Sequence, residues 1–219
     1  MNLNISDYAE KYDPELKQEP LFKFKNLHLI QCKKSDPAFA YHYCRHYPGS
    51  LGIIGRQFNY KIYYKKELIG IIGACSPPLL KLFNDYFDSE NSLLWLNNNI
   101  FKIIKPGKNR GTKILKLFRE RIFVDYFKKY TQYLEGLVTF VEPPREGTIY
   151  KADNWTCLGM TEGWEIRARK NPKRRTFKES SFGTQKTPTF TGNQKHIFAI
   201  KFPERYKNKI LNQKKGVEH

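Results

Sequence analysis

Cysteine is scarce in this chain and never clustered. The four cysteines, Cys32, Cys44, Cys75 and Cys157, lie far apart and form no Cys-x-x-Cys pair. That spacing argues against a structural zinc site and against a disulfide framework; Cys44 and Cys75 read as small packed residues. Long apolar runs are missing too. No stretch approaches the roughly 18 uninterrupted apolar residues that a bilayer span requires. Residues 1–20 are charged and end in Pro20, so no apolar leader is read there. The chain reads as intracellular, cytoplasmic and reduced. Acidic residues are under-represented: 21 Asp+Glu stand against 39 Lys+Arg, a net charge of +18 and a pI near 9.7. Neither Gly-x-x-x-x-Gly-Lys-[Ser/Thr] nor Gly-x-Gly-x-x-Gly occurs, which excludes a Walker loop and a dinucleotide fingerprint.

What is present suffices for a substantial core. Forty per cent of the 219 residues are hydrophobic and 15% aromatic, which fits one domain with terminal extensions. The basic excess attracts polyanions over long range. The plainer explanation is codon drift toward Lys, which far outnumbers Arg. The distribution favours a binding face: from residue 167 onward, fifteen Lys/Arg and three Glu carry +12 of the +18. A solvated tail is the alternative for 207–219.

The hydrophobic periodicity orders the elements. LFKFKNLHLIQC (21–32) alternates as a strand. Ser35-Asp36 followed by Pro37 opens a helix that Pro48-Gly49 closes. Two strands, 58–66 and 68–76, are separated by little more than Glu67 and so form a tight hairpin. Residues 79–98 are ambiguous, a short helix and an Asn-rich turn. NIFKIIK (99–105) is a strand, and PGKNRGTK (106–113) runs into a helix over 114–133 with Leu115, Phe118, Ile122 and Tyr126 on one face. A mostly apolar strand (133–144) precedes a short helix over 150–155. Strands follow at 164–170 and 196–202, with a basic loop or insertion at 171–195. The domain reading is therefore an arm (1–20), one α/β (α+β) domain (21–206) and a basic tail (207–219).

PGKNRGTK places free backbone N–H groups at the positive end of a helix dipole, where pyrophosphate binds readily. Gly107 and Gly111 permit close approach, and Lys108, Arg110 and Lys113 add charge. An ordinary helix entry is the plainer alternative.

With the element order, this loop resembles the GNAT acyltransferase superfamily over roughly residues 22–170. The resemblance implies a central mixed twisted sheet flanked by helices, with a basic C-terminal extension. It also implies an acetyl-CoA or other acyl-CoA donor held by Lys108, Asn109, Arg110, Gly111, Thr112 and Lys113, with Lys102 on the fourth strand. The superfamily pattern [RQ]xxGx[GA] is kept here only at its central glycine. Within the superfamily, YHYCRHYPG (41–49), LIGIIGACSPP (68–78), FKIIKPGKNRGTKIL (101–115) and VTFVEPPREGTIYKADNWTCLGMTEG (138–163) resemble Mom-type phage DNA modification proteins. That closer resemblance implies carbamoylmethyl-type modification of the adenine N6 amine in double-stranded DNA, in a phage or prophage setting. A similar domain in Druantia-type defence proteins leaves a bacterial DNA-binding role open. A GNAT acetyltransferase acting on a protein or a small amine is the third alternative, and a homodimer is also open.

The roles follow, each beside a plainer one. Glu142, where Mom-type proteins carry Asp, is a candidate base or metal ligand, or a surface carboxylate. Tyr150 is a proton donor or a packed core residue. Asn154 and Trp155 are candidates to hydrogen-bond and stack an extruded base, which chemistry on a duplex amine requires; for Trp155 the alternative is core packing. His42 and His46 share one helix face with Tyr43 between them, offering a proton acceptor or a metal donor. The resemblance brings iron with His42, Glu142 and Tyr150 as donors, although no 2-His-1-carboxylate spacing is present. Lys170, Lys173, Arg174 and Arg175, with Tyr43, complete the expected DNA-contacting set.

Overall fold

In the computed structural model, the described residues are 26–46, 55–77, 86–89, 91–105, 109–162, 164–165, 189–190 and 192–208. The expected arm, most of the basic loop with Lys170, Lys173, Arg174 and Arg175, the tail beyond 208 and Lys108 lie outside them.

The elements are β1 (Leu27–Cys32), α1 (Pro37–Cys44), β2 (Gln57–Tyr64), β3 (Glu67–Cys75), β4 (Trp95–Ile103), α2 (Arg110–Tyr130), β5 (Gly136–Val141), α3 (Thr148–Ala152), β6 (Thr156–Met160), β7 (Trp164–Glu165), β8 (Thr189–Phe190) and β9 (His196–Lys201). Seven strands form one sheet in the order β1-β2-β3-β4-β5-β9-β6, and β7 pairs separately with β8. Every pairing in the large sheet is antiparallel except β4 with β5. A parallel pair needs a crossover, and α2 supplies it. The expected mixed sheet flanked by helices is what the chain builds.

Local chemistry explains the element ends. Asp36 Oδ1 accepts hydrogen bonds from the amides of Ala38 and Phe39 at 3.1 Å each, and Pro37 occupies the first helical turn. The other oxygen, Oδ2, meets Lys61 Nζ at 2.9 Å. One carboxylate thus caps α1 and ties it to β2. The β2–β3 turn is Lys65-Lys66, both at positive φ (49° and 69°), the backbone of a two-residue hairpin. No Asn-Gly signals it, yet the register Tyr64–Glu67 demands it.

α2 and α3 cover one face of the sheet. Leu115, Phe118, Ile122, Phe123 and Tyr126 of α2 join Tyr60, Ile72, Leu96, Leu137 and Phe198 in the main core. α1 covers part of the other face, where Phe39 and Tyr43 pack on Ile71 and Ile100. A separate cluster of Trp95, Val138, Leu158, Ile197 and Ala199 lies under β4, β5, β9 and β6. Within it Trp95 faces Gly136 across the parallel pair. A Cβ on Gly136 would stand 2.4 Å from the indole and 2.5 Å from the Ile200 carbonyl. Gly136→Ala is therefore expected to lower stability by about 1–3 kcal/mol through overpacking, read as an earlier midpoint in urea unfolding. An unshifted midpoint would mean that the indole yields freely.

Several sequence expectations change, among them β8, which lies inside the stretch 171–195 read as a loop or insertion. β4 begins at Trp95 rather than residue 99, because the Asn-rich stretch taken for a turn is strand. α3 lies over 148–152 rather than 150–155. β6, over 156–160, has no counterpart in the sequence reading; TCLGM does not alternate with a period of two, and only Leu158 of this short edge strand is buried.

Candidate active site

The site grows out of one irregularity in β4. Gly73 pairs with Ile100 and Cys75 with Asn97, so two steps along β3 face three along β4. The extra residue is a bulge at Asn98-Asn99, which bends a strand and raises its twist. At the same point β4 stops pairing with β5: the last partners are Asn97 and Val138. Beyond them β4 runs on to Ile103 and β5 to Val141, each paired through its backbone with its other neighbour. The parallel pair opens into a cleft.

Asn98 sets the floor of that cleft. Its Nδ2 donates to the Gly73 carbonyl at 2.7 Å and the Ile100 carbonyl at 3.1 Å. Its Oδ1 accepts from the Tyr150 hydroxyl at 2.9 Å, and its main-chain carbonyl accepts from Thr139 Oγ1 at 3.0 Å. One buried asparagine, through its side-chain amide and its own carbonyl, thereby joins β3, β4, β5 and α3. Nothing in the sequence marks this role, because Asn97, Asn98 and Asn99 look alike until the bulge singles one out.

The N-terminus of α2 closes one end of the cleft. Its first residue is preceded by Asn109 in the left-handed conformation (φ 55°), whose own side chain makes no capping hydrogen bond. Gly111 is buried; a Cβ there would lie 3.2 Å from Ile149 and 3.8 Å from Ile103, so the helix start sits against the end of β4 and against α3. Thr112 Oγ1 donates to the Asn109 carbonyl at 3.1 Å, and Lys113 is exposed. Arg110 departs from the expected phosphate contact: its guanidinium turns back to the Lys105 carbonyl and lies 5.7 Å from the Tyr64 ring centroid.

The other side of the cleft is basic and carries two imidazoles. His42 is buried at the inner face of α1, and Lys102 Nζ lies 3.4 Å from its carbonyl. Burial first, then the charges of Lys102 and Arg45, hold the His42 imidazole below its usual 6.5. Burial first, then Arg145 and Lys102, lower His46 as well. Arg145 comes from the turn after β5, so the two margins of the cleft share one positive field. Both imidazoles are therefore neutral at physiological pH, the state that accepts a proton. Burial pushes the Cys75 thiol up to about 11, which leaves it protonated and poorly nucleophilic. Cys44 is exposed rather than packed.

The motif EGTIYKADNWTCLG lies on the α2 side of the cleft and is mostly framework. Gly147 opens α3 at φ 68°, and a Cβ there would stand 2.2 Å from the Phe198 ring, so glycine is required twice over. Tyr150 is buried between Trp155 (centroids 5.0 Å apart) and Phe198 (6.0 Å). Trp155 is only 4% exposed, and its Nε1 donates to Asp153 Oδ2 at 2.9 Å. Asp153 Oδ1 pairs with Arg119 of α2 at 2.8 Å. This corrects the expectation of a stacking Trp155: its ring is core. Tyr150 likewise spends its hydroxyl on Asn98. Asn154 is exposed in the left-handed conformation (φ 61°) and ends the α3 turn. Tyr43 is buried against Phe39 (6.0 Å); burial raises its pKa, offset in part by a hydrogen bond with Asn99. Glu142 is exposed.

Iron does not fit these residues. Tyr150 points into the core on the α2 face, His42 lies on the α1 face, and among the described residues no group of three His, Cys, Asp or Glu is placed to hold a metal ion.

No protein-family model and no curated protein matches the chain. Solved structures similar to it include a GNAT family acetyltransferase from Elizabethkingia anophelis with acetyl-CoA bound (11% identity, TM-score 0.44, covering 81% of this chain and 99% of that one). Another is an aminoglycoside acetyltransferase in complex with coenzyme A and kanamycin (12%, 0.48, 80% and 94%). A third is a ribosomal-protein alanine acetyltransferase from Vibrio fischeri (10%, 0.45, 82% and 95%).

Proposed function

We propose that the protein is an N-acyltransferase that draws on an acyl-CoA donor and acts on an amine of a nucleic acid, the exocyclic N6 amine of adenine in DNA. The observation that supports this is the opening of β4 from β5 beyond Asn97–Val138, with the α2 N-terminus against the far end of β4 at Ile103. Strand edges released from pairing suit a chain of amides, and free helix amides beside Lys113 suit a pyrophosphate. Acyl-CoA would be held there by the first turn of α2, Gly111 and Thr112 included, and supplies an activated thioester.

The remaining steps belong to the chain itself. His42, neutral and buried, would accept the proton that the acceptor amine loses as its nitrogen bonds to the acyl carbon; as the C–S bond breaks, the imidazolium would return that proton to the departing thiolate, so the thiol leaves and His42 is neutral again. Asn98 holds β4 in the bulged geometry that keeps the cleft open. Lys102, Arg45 and Arg145 surround the imidazoles with positive charge, which favours an acceptor carried on a polyanion and repels a polycation. The net charge of +18 acts in the same direction at long range.

The test is a nucleoside mass spectrum of DNA co-expressed with the protein, together with CoA release in vitro. A heavier deoxyadenosine is expected. Unmodified nucleosides from well-expressed protein, with turnover on polyamines instead, would overturn the nucleic-acid acceptor; no CoA release with any amine would overturn the acyl transfer itself.

A further inference from the structure

With Trp155 buried, an aromatic platform for a planar acceptor has to come from elsewhere, and α1 holds one. Tyr41 is 52% exposed, unlike Phe39 and Tyr43, which the same helix buries. Its ring meets His42 edge-on, with centroids 5.0 Å apart and planes at 79°. The Arg45 guanidinium lies 5.0 Å from the Tyr41 centroid and donates to its hydroxyl. What sets this ring apart from other exposed side chains is its company: a guanidinium on its hydroxyl and an edge-on imidazole give a planar partner both a cation and a neutral proton acceptor beside one face. The field across the cleft mouth from Lys102 and Arg145 adds a requirement that the partner be anionic.

We propose that Tyr41, with Arg45, forms the platform on which a single-stranded or extruded nucleotide stacks, its phosphate directed toward Lys102 and Arg145 and its base amine toward His42. This rests on the N-acyltransferase reading and assigns the acceptor's place within it. Aromatic stacking tolerates every base, because each presents a π face, and is worth about 1–3 kcal/mol per base, or roughly 5- to 150-fold in affinity. Arg45, held on the Tyr41 hydroxyl, adds a cation beside the ring for the stacked base or its phosphate. A Tyr on the exposed side of an eight-residue helix carries no such meaning in the sequence. The meaning arises from its contact with His42 and from the basic residues that β4 and the turn after β5 bring to the same mouth.

The experiment measures fluorescence anisotropy of a labelled single-stranded oligodeoxyadenylate with the full chain, beside calorimetric binding of CoA. Tyr41→Ala is expected to weaken the oligonucleotide about 5- to 150-fold while CoA affinity stays unchanged, and Tyr41→Phe is expected to keep most of the wild-type affinity. Equal oligonucleotide binding by wild type and Tyr41→Ala would overturn the platform. So would equally tight binding of a polyglutamate peptide, since that needs charge alone. Loss of CoA binding by the wild-type chain would instead sink the acyltransfer reading and leave oligonucleotide stacking to be judged on the two Tyr41 variants.

Discussion

Asp153→Ala is expected to destabilise the protein by about 3–5 kcal/mol, the usual effect of removing one partner from a buried ion pair. The Arg119–Asp153 bridge is 2.8 Å long, with side chains 12% and 7% exposed. Without the carboxylate, the Arg119 charge stays in a largely dry site, and the Trp155 indole N–H loses its acceptor. Two costs therefore add, an uncompensated charge and an unsatisfied donor. The bridge is also the polar link from α2 to the α3–β6 turn, so the α2-side wall of the cleft should loosen with it. Denaturant unfolding would register the loss as a lower midpoint, and CoA binding should weaken in parallel. Replacing both partners by leucine is expected to recover much of the stability, because an apolar pair of similar volume leaves nothing unpaired. A single variant that unfolds at the wild-type denaturant concentration would show that solvent reaches the guanidinium.

His42→Gln is expected to lower kcat by about 10²–10⁴-fold, the range for losing a positioned general base, with CoA affinity unaffected because the imidazole lies across the cleft from α2. The pH profile carries the sharper test. Burial, Lys102 and Arg45 all depress the His42 pKa below 6.5, so activity should be full at neutral pH and fall only as acid protonates the ring. Lys102→Met removes one of these charges and should move the acid limb toward higher pH. An acid limb above 6.5 in the wild type would exclude His42 as the titrating group. Stability has the same sign. The folded chain holds His42 and His46 less protonated than the unfolded chain does, so their contribution is complete above 6.5 and is lost as the pH falls through the lowered folded values.

Elements with strong local signals were legible in the sequence. Ser35-Asp36-Pro37 announces α1 and Asp36 caps it as expected; the apolar stripe of α2 packs where its spacing puts it; the β2–β3 hairpin sits within a residue or two of its reading. β4 was half missed, since three consecutive asparagines disfavour a strand by propensity. Tertiary pairing on both sides of Asn97 overrides that preference. The roles of Tyr150 and Trp155 were underdetermined for a related reason. A tyrosine or tryptophan beside polar residues is equally suited to a site or a core, and only burial distinguishes them.

Charge, cap chemistry and hydrophobic period are properties of neighbours along the chain, and through them the sequence by itself determined the basic character and the order of most elements; the mixed sheet was implied by the resemblance, and only strand pairing shows which pair is parallel. The cleft is a property of register. It depends on one extra residue in β4, on Asn98 joining four elements at once, and on Arg145 and Lys102 sharing a field with His42 of α1 and with His46, which lies in the turn just after α1 rather than on the helix face expected from the sequence. Those relations join residues up to about a hundred positions apart, where no local preference acts. Tertiary structure alone decided that the Trp of EGTIYKADNWTCLG is a pillar and that Tyr41 is the open ring.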